Sequence, residues 1–493
     1  MHFSWLPIVA VAVAATLSVS DAAGPPKTYK NVVSFLEWST LARQFQIWDL
    51  DWSTATHINY AFAKPLPDGT VSIYDEYSSI NKHYPARGDS WNDVNNLFGT
   101  FGQANKLKKQ FRGTKLGYSI GGWTLSTSFS SIAANATSRQ TFAKSAVQLL
   151  LDLGLDFLDI DWEYPVEGGN GQPAAPHSPD DMKNFILLLQ TIRAEYAKLP
   201  FKAELSVSSP ALPENYRHWD VGAICGLVDH VNLMSYDFSG SWSSYTDHQA
   251  NLYADPNHPV GSTYSVDGAV QGYIQGGCPS DKIILGIPSN GRSFENTKGL
   301  YANFTQPTKG SWVYGTSGAG VWDYKALPLA NATEYYNEKL VAAYSYDPTT
   351  QMFISYESPK SLAAKLDYIK KHNLGGTGFW SADSDGSFSN PRSLINQAFN
   401  YFGKTNLAFN LNNINYPTSK YPNVATNGTW TAAPTTVTPQ PTPKPTVSPP
   451  TPAPTPDVCK GNKNVCYWPQ TNQVIPYGQS DCALFPESFV WCP

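Results

Sequence analysis

The sequence predicts an α/β protein. A closed (β/α)8 TIM barrel carries a small α+β insertion between its seventh and eighth strands, and a small disulfide-rich module follows. Three observations lead there. Short apolar runs alternate with longer amphipathic segments over most of the 493 residues, the pattern of a parallel sheet with crossover helices. The fourth of those runs is acidic on one face, apolar on the other, and stopped by a proline. Near residue 404 the composition turns polar and then Thr/Pro-rich, before a tail that holds four of the six cysteines.

Asn31–Phe35, Thr56–Ala63, Lys115–Ile120 and Asp156–Glu163 read as strands one to four. Ala203–Ser208, His230–Ser235, Lys282–Pro288 and Gly376–Trp380 read as strands five to eight. Thr137–Leu153, Ser178–Leu199 and Ser358–Asn373 have helical periodicity, each opened by a Ser or Thr cap candidate, with Pro179 at the first helical position of the second. A helix over Pro391–Phe402 should close the barrel. Between strands seven and eight, Arg292 to Glu357 is too long for a structureless loop, and its short alternating stretches of Tyr, Phe, Trp and Gly read as a small folded insertion.

Residues 1–22 read as a secretory signal peptide. Leu6 to Val19 is apolar and Ser20, Ala22 and Ala23 are small, although His2 stands where Lys or Arg is usual. The barrel domain is placed at 23–403, a polar then Thr/Pro-rich linker at 404–457, and a Cys-rich module at 458–493. Asn135, Asn303, Asn331 and Asn427 begin Asn-x-Ser/Thr sequons, as expected of a secreted glycoprotein. Cys225 and Cys278 are available to pair; Cys459, Cys466, Cys482 and Cys492 allow three connectivities. A net charge of −5 argues against nucleic acid as partner, and no later stretch is apolar enough to span a bilayer. No Cys/His spacing suggests a metal, and neither metal nor cofactor is expected.

In the fourth strand, Asp159, Asp161 and Glu163 share one face while Leu158, Ile160 and Trp162 share the other. Three carboxyls in one confined space cannot all ionise cheaply, so at least one should stay protonated near neutral pH, ready to act as a general acid. The pattern Asp156-x-x-Asp159-x-Asp161-x-Glu163 resembles the signature of the family 18 glycoside hydrolases, the chitinases and their relatives. Ser119–Trp123 at the end of strand three, Met234–Asp237 at the end of strand six and Gly375–Trp380 at the end of strand eight resemble the family as well. In a TIM barrel those strand ends are where function sits.

The resemblance implies hydrolysis of β-1,4-linked N-acetylglucosamine polymers, with chitin or chitooligosaccharides as partner and a monomeric enzyme. The substrate's own acetamido group would be the nucleophile. Glu163 would be the acid and then the base, Asp161 would orient the acetamido group, Asp159 would tune Asp161 by sharing a proton, and Tyr236 would hydrogen-bond the acetamido group. Asp237 would hold the distorted sugar and Trp380 would form its floor. Gly122, Tyr164 and Met234, from the same stretches, are assigned to substrate binding. Trp123 and Trp242 are either stacking platforms or packed core rings. Arg292 is either a sugar ligand or an ion-pair partner. Asp156 falls off the acidic face and is read as structural. The tail's rings suit chitin binding, with an inert cap as the other reading. Two rival functions are a catalytically silent sugar-binding protein on this barrel and an endo-β-N-acetylglucosaminidase acting on N-glycans. The acid at position 163 argues against the first.

Overall fold

Eight apolar runs rich in Val, Ile, Leu and aromatic residues become eight parallel strands because each is covered on both sides, by helices outside and by neighbouring strands within. The computed structural model describes residues 28–169, 175–258, 261–313 and 318–425, with 463, 465–468, 473–475 and 490–492 of the tail. The strands are β1 (Lys30–Leu36), β2 (His57–Pro65), β3 (Lys115–Gly121), β4 (Phe157–Asp161), β5 (Glu204–Pro210), β6 (His230–Met234), β7 (Ile283–Pro288) and β8 (Gly376–Trp380). β1 pairs in parallel with both β2 and β8, so the sheet closes into a barrel. The short strand Val71–Ile73 adds antiparallel to the far end of β2.

All eight predicted strands are present, with ends moved by a few residues. β4 stops at Asp161, two residues short of Glu163. Past that point the ladder is replaced by side-chain bonds: the Glu163 backbone N–H donates to Ser126 Oγ at 2.9 Å. Helix Ala136–Leu153 is capped by Asn135, which accepts from the N–H groups of Thr137 and Ser138. The second predicted helix starts late, at Asp181, so neither Ser178 nor Pro179 opens it. Asp181 is instead a buried acceptor for the N–H groups of Ser178 and Val166 and for Ser130 Oγ, which fastens the turn after β4 to two helices. Pro359–Lys371 opens on a Ser358/Ser361 capping box, and Leu394–Phe402 on Ser393. Gly99–Gln110, Phe129–Ala134, Val221–Leu227 and Val266–Gln275 are further helices that periodicity did not single out. The disulfide Cys225–Cys278 ties the third of these to the segment following the fourth.

The insertion is a five-stranded antiparallel sheet made of Asn290–Phe294, Val321–Asp323, Thr333–Asn337, Ala342–Asp347 and Met352–Tyr356. Helix in its described residues is limited to the turn Tyr324–Ala326.

The predicted linker boundary at 404 is too early. Leu407, Asn412, Tyr416 and Val424 are buried against the barrel. Asn412 Nδ2 donates to the carbonyls of Lys108 and Thr114, and Tyr416 Oη donates to the carbonyl of Leu155. Asp156 completes this strap. It pairs with buried Lys108 at 2.8 Å and accepts from the N–H of Asn413, so it is structural, as its spacing suggested. Polar composition concealed the strap because its side chains bond to main-chain groups instead of forming an apolar stripe.

In the second unit, Val465–Trp468, Gln473–Ile475 and Val490–Cys492 form a three-stranded antiparallel sheet with Tyr467 and Cys492 buried, and Cys492 is disulfide-bonded. The predicted signal peptide, the Thr/Pro segment, Asn427 and most of the Cys-rich module lie outside the described residues. Asn135, Asn303 and Asn331 are exposed.

Candidate active site

The C-terminal ends of the strands surround a cavity of about 1090 Å³. In barrel order β4 and β8 lie opposite one another, so Glu163, just past β4, faces Trp380, the last residue of β8, across the mouth. The cavity is lined by Asp161, Glu163, Tyr164, Met234, Tyr236, Asp237, Arg292, Trp123, Trp242 and Trp380. Every binding or catalytic residue singled out in the sequence reaches it except Asp159 and Gly122, which support the lining from behind.

Asp159 is 0 % exposed. Both of its oxygens are taken by polar side chains of three neighbouring strands. Ser206 Oγ (2.6 Å) and Asn232 Nδ2 (3.0 Å) donate to one, and Ser119 Oγ (2.7 Å) and Ser208 Oγ (2.9 Å) to the other. No hydrogen bond joins Asp159 to Asp161 among the described residues, and the charge of Asp159 acts on Asp161 through space. Asp161 is buried, and its Oδ1 has no partner among the described residues. Its carboxyl is pushed well above the usual range, first by burial and then by the charges of Glu163 and Asp159.

Glu163 is partly buried and its carboxyl is pushed up to about 7. The sequence attributed this to crowding by the two aspartates. The structure puts burial first; a hydrogen bond from the Tyr164 hydroxyl pulls the other way, and the charge of Asp237 adds a smaller upward push. Tyr236, raised far above its ordinary value by burial and then by the surrounding carboxyls, stays a phenol and hence a donor.

The turn after β3 sets the distances. Gly121 and Gly122 both have positive φ, and the Gly122 N–H donates to the Asp161 carbonyl at 2.8 Å. A Cβ on Gly121 would stand 2.2 Å from that carbonyl oxygen, and one on Gly122 would meet the Phe62 ring, so the close approach of β3 and β4 requires glycine. Ser126 completes the turn. Its hydroxyl donates to the Gly122 carbonyl and accepts from the Glu163 N–H.

Trp123 and Trp242 are 49 % and 59 % exposed on the cavity wall, so neither is a core ring. Arg292 is an ion-pair partner: Nε and Nη2 both donate to Asp237, and the guanidinium lies over the Trp242 ring at 5.1 Å. Sequence reasoning missed Ser126, Ser206, Ser208 and Asn232, and the cavity-lining Glu37, Trp38, Phe62 and Tyr74. The signal for the serines was present: Ser206 and Ser208 alternate within an apolar strand, which places both inside the barrel. The other four belong to no motif, and only the closing of the barrel brings them to the site.

The model of the family described as "Glycosyl hydrolases family 18" matches residues 30–385. "Chitinase 1" of Aphanocladium album is 41 % identical over 416 residues, covering 82 % of this chain and 93 % of that protein. "Endochitinase 1" of Metarhizium robertsii is 41 % identical, covering 83 % and 95 %. Among solved structures, chitinase ChiA74 from Bacillus thuringiensis superposes with a TM-score of 0.70 at 32 % identity, over 76 % of this chain and 69 % of that one. The acidic strand, the barrel and these similarities agree, and the chain belongs to the family 18 glycosyl hydrolases.

Proposed function

We propose that this protein is a secreted chitinase that hydrolyses β-1,4-linked N-acetylglucosamine polymers by substrate-assisted, retaining catalysis. The observation that carries the reading is the Glu163 carboxyl, held up at about 7 on the wall of a cleft large enough for several sugars. In its acid form Glu163 protonates the glycosidic oxygen. The acetamido carbonyl of the same sugar then attacks the anomeric carbon as the leaving group departs, giving an oxazolinium ion. Asp161 Oδ1, buried and without a partner among the described residues, accepts the acetamido N–H and so orients the group. The Tyr236 hydroxyl donates to the acetamido oxygen and holds it in line. Glu163, now a carboxylate, takes a proton from the water that opens the ring, and two inversions leave the original configuration.

Asp159 acts behind this pair by fixing the charge environment of Asp161. Trp380 floors the sugar that reacts, and Trp123 and Trp242 stack on the leaving-group side. Asp237, carried by Arg292, shapes the site and raises the Glu163 carboxyl. The predicted signal peptide and sequons support secretion, and the predicted Cys-rich module is read as a chitin-binding tether that raises the enzyme's effective concentration on insoluble polymer. Glu163→Gln tests the reading. Chitin hexamer should bind with near-normal affinity while turnover falls by about 10²-fold or more. Near-normal hydrolysis by this variant would remove the mechanism.

A further inference from the structure

We propose that Arg43 is a positioning residue for the reaction. Its buried guanidinium holds Trp380, on one side of the cleft, in a fixed relation to Arg292 and Asp237 on the wall beside it. Arg43 does not itself line the cavity and acts through the residues it holds. The proposal rests on the reading of Trp380 as the floor of the sugar that reacts.

β1 runs out at Leu36 into the single turn Glu37–Thr40, and Arg43 lies just beyond it. Its side chain is 13 % exposed and meets two carboxylates that are buried more deeply, Asp323 and Asp383. Nη2 donates to Asp323 Oδ1 at 2.6 Å and to Ser384 Oγ at 3.0 Å. Nε forms an ion pair with Asp383 Oδ2. The face of the guanidinium covers the Trp312 ring at 5.0 Å, and Trp312 Nε1 donates to the other oxygen of Asp323 at 2.9 Å. One cation thus joins the loop after β1, the insertion and the loop after β8. Planar geometry and fixed charge suit arginine to such a junction, where a single ammonium would lack the fork and the stacking face.

Both carboxylates lead back to the site. The Ser381 hydroxyl, next in the chain to Trp380, donates to Asp383 Oδ1 at 2.5 Å. The Trp380 carbonyl accepts from the Ser289 N–H at 2.7 Å, and the Ser289 carbonyl accepts from the N–H of Tyr324 at 3.0 Å, the residue after Asp323. Asp323 ends the insertion strand Val321–Asp323, which pairs with Asn290–Phe294 so that Val321 stands opposite Arg292. Arg292 in turn carries Asp237. The link through Arg43 therefore ends on the floor of the reacting sugar in one direction and on the Arg292–Asp237 pair in the other.

Without Arg43 the two carboxylates part company. Lys325 stands 3.6 Å from Asp323, but it reaches only the backbone carbonyl of Asp383. Asp383 has no second cation among the described residues. A buried carboxylate that loses its counter-charge draws in water or shifts toward it. The segment that moves is the one following Trp380. A shift of about 1 Å at the reacting sugar is enough to cost up to about 10²-fold in rate. Binding of a long oligomer is spread along the cleft and depends much less on that one contact.

The test uses the full-length protein and the fully N-acetylated hexamer. Arg43→Ala should lower kcat by about tenfold or more while KM stays near the wild-type value. Guanidinium ion in the assay should restore part of the lost kcat in this variant and none in the wild type. Ethylammonium, a cation without the fork, should restore less. Asp383→Asn should also lower kcat, and the double variant should be no slower than Arg43→Ala, because both substitutions break one link. Unchanged kcat in either single variant, or losses that multiply in the double variant, would overturn the proposal. Where Arg43→Ala does not fold, the separation of kcat from KM in Asp383→Asn decides the matter. Trp380→Ala with unchanged kcat would defeat the floor reading itself, a different result from Trp380→Ala slowing the reaction while Arg43→Ala does not.

Discussion

Asp237→Asn should move the basic limb of the pH–rate profile to lower pH. The rate requires Glu163 in its acid form, so it falls as pH rises through the pKa of that carboxyl, which stands at about 7. Burial is the larger cause of the elevation and the Asp237 charge a smaller one. The substitution removes that charge. It also leaves the Arg292 guanidinium without its carboxylate, and a lone cation at the cleft wall favours the ionised form of Glu163. Both changes act in one direction. For a pKa at 7, about half of the enzyme is active at pH 7 and about a tenth at pH 8. A nearby charge is worth about one pH unit, so about a tenth should remain active at pH 7 in the variant. The assay is kcat/KM on soluble hexamer from about pH 4 to 9, with Glu163→Gln as the control that must lack the limb. A limb that stays in place or moves up would refute the coupling between Asp237 and the acid.

Four further outcomes are expected. Ending the chain after Ala425 should leave the barrel's melting temperature unchanged and hydrolysis of soluble oligomers intact, while activity on crystalline chitin falls. Ending it after Gly403 should cost about 3 kcal/mol or more, because Tyr416 and Val424 leave a packed surface and Lys108 and Asp156 are uncovered; chemical denaturation measures the difference. Ser126→Ala should lower kcat with little change in KM, since the hydroxyl fixes the backbone that carries Glu163; equal melting temperatures with unchanged kcat would deny it that role. At the barrel base His57 and His230 are buried with their pKa values lowered, first by burial. Both bind protons less readily folded than unfolded, so stability should decline as pH falls below about 6.5. His230→Phe should flatten that slope in thermal melts, and an unaltered slope would assign the acid sensitivity elsewhere.

Much of this molecule is legible in its sequence, and particular residues show where the reading stops. The barrel strands can be found because each is a short apolar run between turn residues, and Asp159, Asp161 and Glu163 announce themselves by occupying the face that should be apolar. The function of Asp156 follows from its odd spacing, and Lys108 and Asn413 bear it out. What the sequence hides is partnership across distance. Nothing near Asp237 reveals that Arg292, 55 positions on, will claim its carboxylate. Nor does the acidic strand show that Ser119, Ser206, Ser208 and Asn232 will donate to both oxygens of Asp159. The strap over 407–424 looked like linker because Asn412 and Tyr416 stabilise it through main-chain acceptors that no periodicity reports. Helix Val221–Leu227 is too short to show a face, and Gly99–Gln110 buries too many polar side chains to show a clean one.

The central claim is that the sugar's own acetamido group, and not a protein side chain or a direct attack by water, displaces the leaving group that Glu163 protonates. Anomer-resolved analysis of the first products from chitin hexamer, taken before mutarotation, tests it most directly. The account predicts the β-anomer at the newly formed reducing end. Initial release of the α-anomer would mean a single inversion and would contradict it.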